Sequence, residues 1–131
     1  MSTDGEGSSI GALDAVTIDC ADPLALAGFW ARIFGTRVEP AEGDPPHYVD
    51  LLPAPGLPIL RFQRVPEPKT VKNRLHLDVS VTDLDVARER VEALGGRRAS
   101  ETPFSEYGYR WLVMTDPEGN EFCLVVPPGT T

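Results

Sequence analysis

The sequence is poor in basic residues, with 12 Lys and Arg against 20 Asp and Glu in 131 residues and a formal net charge of −8. Nucleic acids and anionic membrane surfaces are recognised by clustered positive charge, so we expect neither as a partner. No apolar run approaches the roughly 18 residues of a membrane span, and none is predicted. Cysteine is also scarce: Cys20 and Cys123 lie in predicted strands, which favours reduced thiols and a cytoplasmic protein.

Signatures of several enzyme classes are absent as well. The sequence has no Gly-rich phosphate loop, no nucleophile elbow and no paired-cysteine spacing for zinc. Residues 1–11 are acidic and rich in Gly and Ser, the reverse of a signal peptide, and a disordered tail is predicted there. The rest of the chain is long enough to bury a core without disulfide support.

What the sequence does contain is an internal repeat. Residues 74–81 alternate apolar and polar side chains, as a strand with one apolar face does, and residues 15–22 follow the same pattern. Each stretch leads to an aspartate and an amphipathic helical pattern that ends at glycine. Three pairs of corresponding residues are each 61 positions apart: Ala15 and His76, Asp22 and Asp83, Gly35 and Gly96. Two copies of one unit are therefore predicted, with the functional site where the copies meet.

Each copy is predicted to contain one helix and four strands. In the first module, residues 12–65, the strands are 13–21, 37–39, 47–52 and 59–65, and the helix is 23–34. In the second module, residues 73–127, the strands are 74–81, 97–100, 109–115 and 121–126, and the helix is 84–94. Residues 66–72 are predicted to be a stiff proline-containing linker, 128–131 a second tail, and the loops 40–46 and 101–108 the gates of a site.

A resemblance to a known family rests on three features. They are the doubled βαβββ plan, Phe29-Trp30 ahead of Gly35, and the turn Asp116-Pro117-Glu118-Gly119-Asn120. Over residues 13–126 the chain resembles the vicinal oxygen chelate superfamily, which includes glyoxalase I, extradiol dioxygenases, and the bleomycin and fosfomycin resistance proteins. The resemblance implies an α+β fold in which two tandem βαβββ modules pair their sheets into an open cup with the helices outside. It also implies a homodimer.

The resemblance further implies where a divalent metal would be held. Carried onto this sequence, the four family positions are Ala15, Leu60, His76 and Cys123. Alanine and leucine cannot coordinate a cation, whereas Mg²⁺, Mn²⁺ and Fe²⁺ sites use several oxygen or imidazole ligands. We therefore expect no metal site and no other cofactor.

Candidate catalytic residues surround the predicted strand that carries His76. This histidine could act as a general acid or base, and Asp78, on the same strand face, could orient it. Glu121 could reach the same cavity as a displaced carboxylate. The structural alternative is a half-buried histidine retained for its hydrogen bonds, with carboxylates that are solvated or paired.

Candidate ligand-binding residues are polar or aromatic side chains predicted to face the cup. They are Thr17, Asp19, Tyr48, Phe62, Arg64, Tyr109, Trp111 and Cys123. Core packing is the alternative for Phe62, and a surface ion pair is the alternative for Arg64.

Two classes of function remain open. The first is metal-independent binding of a small aromatic or polyoxygenated metabolite. The second is an enzyme, either a metal-free acid–base isomerase, dehydratase or cyclase, or a metal-dependent glyoxalase-type lyase or dioxygenase.

Overall fold

The computed structural model describes residues 9–129, so most of the predicted N-terminal tail and the last two residues of the C-terminal tail lie outside it. The chain forms two helices and eight strands within that range. In chain order they are β1 (Ala15–Cys20), α1 (Pro23–Phe34), β2 (Tyr48–Asp50), β3 (Ile59–Arg64), β4 (Asp78–Ser80), α2 (Leu84–Ala93), β5 (Arg97–Arg98), β6 (Phe104–Glu106), β7 (Tyr109–Thr115) and β8 (Glu121–Val126). Neither helix of this range has the length and apolar content that a membrane crossing requires.

The strands form two mixed sheets, and the predicted α+β class is confirmed. The first sheet has the order β1-β3-β2, with β1 parallel and β2 antiparallel to β3. The second has the order β4-β8-β7-β5, with β4 parallel to β8, and β6 also pairs with β7. The second sheet therefore repeats the strand–helix–hairpin plan of the first, in which the parallel strand precedes the helix.

Both helices begin where the sequence predicts; α1 also ends there, and α2 ends at Ala93, one residue before the predicted end. The carboxylate of Asp22 accepts a hydrogen bond from the Ala25 N–H at 3.2 Å, and Pro23 opens α1. Gly35 ends α1 in the left-handed conformation, with φ of 70°. Asp83 caps α2 in the same way as Asp22 caps α1, through the Val86 N–H at 3.0 Å. The repeated aspartate is thus a repeated helix cap.

Alternate side chains of the two long inner strands enter a shared core. Leu60 and Phe62 of β3 and Phe122 and Leu124 of β8 are each at most 1% exposed. The indole of Trp30 packs edge-on against Phe122, with ring centroids 4.8 Å apart. Because successive strand residues face opposite ways, the residues between them, including Arg61 and Cys123, lie on the open faces of the sheets.

The turn between β7 and β8 connects the two modules. Asp116 is 3% exposed, and its carboxylate accepts hydrogen bonds from the Trp30 indole N–H at 3.1 Å and from the backbone N–H groups of Glu118 and Asn120. The Glu118 carboxylate accepts the N–H groups of Ala21 and Asp22 at 2.7 and 2.8 Å. This acidic turn therefore ties the start of α1 to the second sheet.

Six of the eight predicted strands are shorter than expected, and two of them differ most. The strand predicted at 74–81 is reduced to Asp78–Ser80, although the Leu77 carbonyl still accepts the Cys123 N–H at 3.0 Å. Leu75 is 68% exposed and does not join an apolar strand face. The strand predicted at 37–39 is a single bridge between Val38 and Leu51. Pro40 follows and has no N–H with which to extend the ladder.

One predicted loop contains a strand. Within residues 101–108, β6 pairs with β7 in a hairpin whose last paired residues are Glu106 and Tyr109. The two residues between them, Tyr107 and Gly108, both have positive φ, 52° and 82°. That combination is the type I′ turn, whose backbone twist matches the right-handed twist of the two flanking strands.

Candidate functional site

The second sheet carries a cavity of about 600 Å³ on its open face. It is bounded by β6, β7, β8 and the segment that leads into β4. Six of the predicted site residues line it together: His76, Asp78, Tyr109, Trp111, Glu121 and Cys123. The second module alone therefore assembles all three catalytic candidates and three of the eight ligand-binding candidates, and we call this space the second-module cavity.

The other predicted site residues lie elsewhere. Thr17 and Asp19 line a hollow between β1 and the linker, and Tyr48 lines a separate hollow with Asp50 and Arg61. Phe62 is fully buried in the core. The Arg64 guanidinium donates to the carbonyl oxygen of Pro45 at 3.3 Å. These five predicted residues therefore do not line the second-module cavity.

His76 and Asp78 form a contact on the wall of the second-module cavity. The His76 Nδ1 lies 3.2 Å from an Asp78 carboxylate oxygen, and both side chains remain partly exposed, at 42% and 61%. A carboxylate this close to Nδ1 can orient the imidazole. The partly exposed ring lines the cavity, where a ligand can contact it.

Cys123 lies opposite Asp78 in the ladder between β4 and β8. Burial raises the pKa of its thiol, and the charge of Asp78 and its hydrogen bond raise that pKa further, while Lys72 lowers it. The reactive form of cysteine is the thiolate, which this environment disfavours. Cys123 therefore serves as a small wall residue and a poor nucleophile.

Glu121 is held by the linker that precedes β4. Its carboxylate accepts the Asn73 N–H at 3.0 Å and the Lys69 ammonium at 3.1 Å. The hydrogen bond from Asn73 lowers the pKa of Glu121, burial opposes this, and the contact with Lys69 lowers it again. Glu121 is therefore a charged anchor for the linker, which makes it a weak proton acceptor.

An aromatic wall faces these polar groups. Phe104 and Trp111, opposite each other in the β6–β7 ladder, stack with ring centroids 5.6 Å apart and planes 23° apart. Tyr107 and Tyr109 line the same cavity from the hairpin turn and from β7. Phe104, Glu106 and Lys72 were not among the predicted site residues. The sequence carries no strong hairpin signal at this turn, because Tyr107-Gly108 is not one of the residue pairs that favour a two-residue hairpin.

Strand register corrects one of the metal positions that the resemblance implies. Asp78 pairs with Cys123, and Thr17, which precedes Asp78 by 61 residues, pairs with Arg61. The counterpart of Cys123 in the first module is therefore Arg61, and Leu60 faces the core. The Arg61 guanidinium donates two hydrogen bonds to the Asp50 carboxylate, at 2.9 and 3.0 Å.

The residues present do not fit the cation of that superfamily. His76, Asp78 and Cys123 have potential ligand atoms within 4.8 Å of one another. Coordination by Cys123 requires a thiolate, and its raised pKa opposes deprotonation. Ala15 and Arg61 occupy the two first-module positions. Alanine offers no ligand atom, and the arginine carries a fixed positive charge that repels a cation. One imidazole, one carboxylate and one protonated thiol fall short of the several oxygen or imidazole ligands of a Mg²⁺, Mn²⁺ or Fe²⁺ site.

Solved structures share this fold. A hypothetical protein from S. aureus, SA1046, is 16% identical, with a TM-score of 0.70 over 92% of this chain and 97% of that one. A glyoxalase family protein from Bacillus cereus is 18% identical, with a TM-score of 0.68 over 93% and 97%. A glyoxalase/bleomycin resistance protein/dioxygenase family enzyme from Burkholderia phytofirmans PsJN is 21% identical, with a TM-score of 0.64 over 86% and 96%. At these identities the likeness concerns the fold.

Sequence comparison agrees with the structural one. No curated protein matches the chain. The model of the glyoxalase-like domain family matches residues 15–125, from the first residue of β1 to the penultimate residue of β8. With its paired modules and its acidic connecting turn, this chain belongs to the glyoxalase-like domain family and so to the vicinal oxygen chelate superfamily.

Proposed function

We propose that the second-module cavity binds a small aromatic or polyoxygenated metabolite without the help of a metal ion. The observation that carries the proposal is the stacked Phe104–Trp111 pair facing hydrogen-bonding side chains across about 600 Å³. Ligand sites are mostly apolar concavities in which a few polar groups fix orientation. Here Tyr109 and His76 supply such groups beside the rings.

A second candidate is acid–base catalysis in the same cavity. The contact of His76 with Asp78 supports it, because an oriented imidazole can take a proton at Nε2 and return it. Isomerisation, dehydration and cyclisation need only such proton transfers. A metal-dependent lyase or dioxygenase activity has no comparable support in the donor set.

A thermal-shift screen of aromatic natural products and 2-oxo acids tests the binding proposal. We expect planar aromatic compounds to raise Tm, since a ligand at about 100 times its Kd stabilises the native state by about 2.7 kcal/mol. For a binding protein, His76→Ala retains most of this rise.

Incubating each hit with the protein and following it by NMR distinguishes the enzyme. A conversion rate that is lower in His76→Ala by a factor of about 10² to 10⁴ favours acid–base catalysis. His47→Ala is the matched control, because the other histidine of the chain does not line the cavity. A screen without any hit contradicts the proposed binding.

We also propose a homodimer. Each sheet ends in an edge strand, β1 or β4, and exposed edges invite pairing. Leu13 and Leu75 line one hollow beside β1 and are 74% and 68% exposed. We expect the native protein to sediment at twice the chain mass of 14.2 kDa. The Leu75→Glu variant should shift toward the mass of one chain. Leu24→Glu on α1 is the control, and sedimentation at 14.2 kDa across concentrations contradicts the dimer.

A further inference from the structure

Building on the proposed function, we infer that the second-module cavity selects a ligand with a positive charge: an aromatic compound that carries an amine or a quaternary ammonium group. The inference depends on two independent properties of the lining. One is the balance of charge on the cavity wall, and the other is the set of aromatic faces that the hairpin presents. Both favour a cation over a neutral or an anionic ligand of the same shape.

The wall is acidic. Asp78, Glu106 and Glu121 line the cavity with carboxylates, and Lys72 lines it with an ammonium. Glu121 is already paired with Lys69. Asp78 contacts only the imidazole of His76 among charged groups, and Glu106 forms no ion pair within residues 9–129. Two carboxylates therefore remain without a strong cationic partner, against the single ammonium of Lys72.

The aromatic wall acts in the same direction. Aromatic faces carry partial negative charge, so a cation within about 6 Å of a ring centroid is attracted to them. Phe104, Tyr107, Tyr109 and Trp111 all reach the cavity from one hairpin, and Glu106 lies between the first two of them. A flat ring can stack beside Trp111 while its ammonium group reaches the hairpin carboxylate. No such pairing is available to a ligand carboxylate except at Lys72.

Three naphthalene probes with a shared ring test the inference: 2-naphthylmethylammonium, 2-naphthalenemethanol and 2-naphthoate. Their affinities are measured by calorimetry at low ionic strength, because salt screens charges at the surface. We expect the ammonium probe to bind about tenfold more tightly than the alcohol, and the carboxylate probe to bind most weakly. Glu106→Gln should reduce the preference for the ammonium over the alcohol to about threefold or less, with the affinity for the alcohol unchanged.

Glu89→Gln is the matched control. It removes the same charge from the solvent side of α2, where the carboxylate is 70% exposed, and should leave the preference intact. Equal affinity for the ammonium and alcohol probes, or tightest binding of the carboxylate, overturns the inference and leaves the proposed aromatic pocket standing. Failure of all three probes to bind overturns the proposed pocket and, with it, the inference.

Discussion

Asp116→Ala is expected to lower the free energy of unfolding by about 3–5 kcal/mol, which would make it the most damaging single substitution discussed for this protein. The buried carboxylate accepts the Trp30 indole N–H and the N–H groups of Glu118 and Asn120. Truncation leaves these donors without an acceptor inside the connection between the modules. Urea denaturation followed by circular dichroism measures the change.

Two further variants show whether the loss belongs to the buried network. Trp30→Phe keeps an aromatic ring against Phe122, removes one donor and leaves a small cavity, so the expected loss is about 2 kcal/mol, of which about 1 kcal/mol comes from the hydrogen bond. Glu101→Ala removes an exposed carboxylate near β6 and should change the free energy of unfolding by less than about 0.5 kcal/mol. If the free energy of unfolding of Asp116→Ala lies within about 1 kcal/mol of the native value, the acidic turn does not stabilise the module connection.

Trp111→Ala is expected to weaken binding of 2-naphthylmethylammonium by about ten- to a hundredfold, since buried tryptophans supply a large share of binding energy in contact sites. The substitution removes the ring that stacks with Phe104 and forms much of the aromatic wall. Calorimetry with this probe measures the loss.

Tyr48→Ala is the matched aromatic control, because Tyr48 lies on the open face of the first sheet and lines a different hollow. We expect it to leave the affinity within about twofold of the native value. Comparing the Tm of each variant with that of the native protein shows whether a loss of affinity comes from a lost ligand contact or from a less stable fold. Unchanged affinity in a folded Trp111→Ala variant would mean that the ligand lies elsewhere.

Much of the fold was predictable from local patterns. The bounds of α1, β7 and β8 agree with the prediction, because helix caps, glycine and proline signals mark the ends and periodicity marks the faces. The bounds of the other strands were less predictable, because strand ends depend on pairing with segments far away in the chain. The first strand of the second module is only three residues long, and the Asn73 N–H ahead of it donates to the Glu121 side chain.

The candidate site was predictable only in part. Residues of β7 and β8 could be assigned to the cavity because both strands have the predicted bounds, so the face of each residue follows from its position along the strand. Arg61 could not be matched to Cys123, because an offset that is wrong by one residue reverses the face of a strand. Phe104 could not be assigned either, since residues 101–108 contain a proline and a glycine and resemble a loop more than a hairpin arm.

By itself the sequence determined the duplicated plan, the positions of both helices and the alternation that separates core from open face, because these depend on neighbours a few residues away. Only the tertiary structure decided which candidates share a cavity. It gathers His76, Asp78, Trp111 and Cys123 on one sheet and leaves Thr17 and Tyr48 beside other hollows. The reason is physical: strand pairing, register and the packing of two sheets join residues far apart in the chain, and no local pattern encodes those distances.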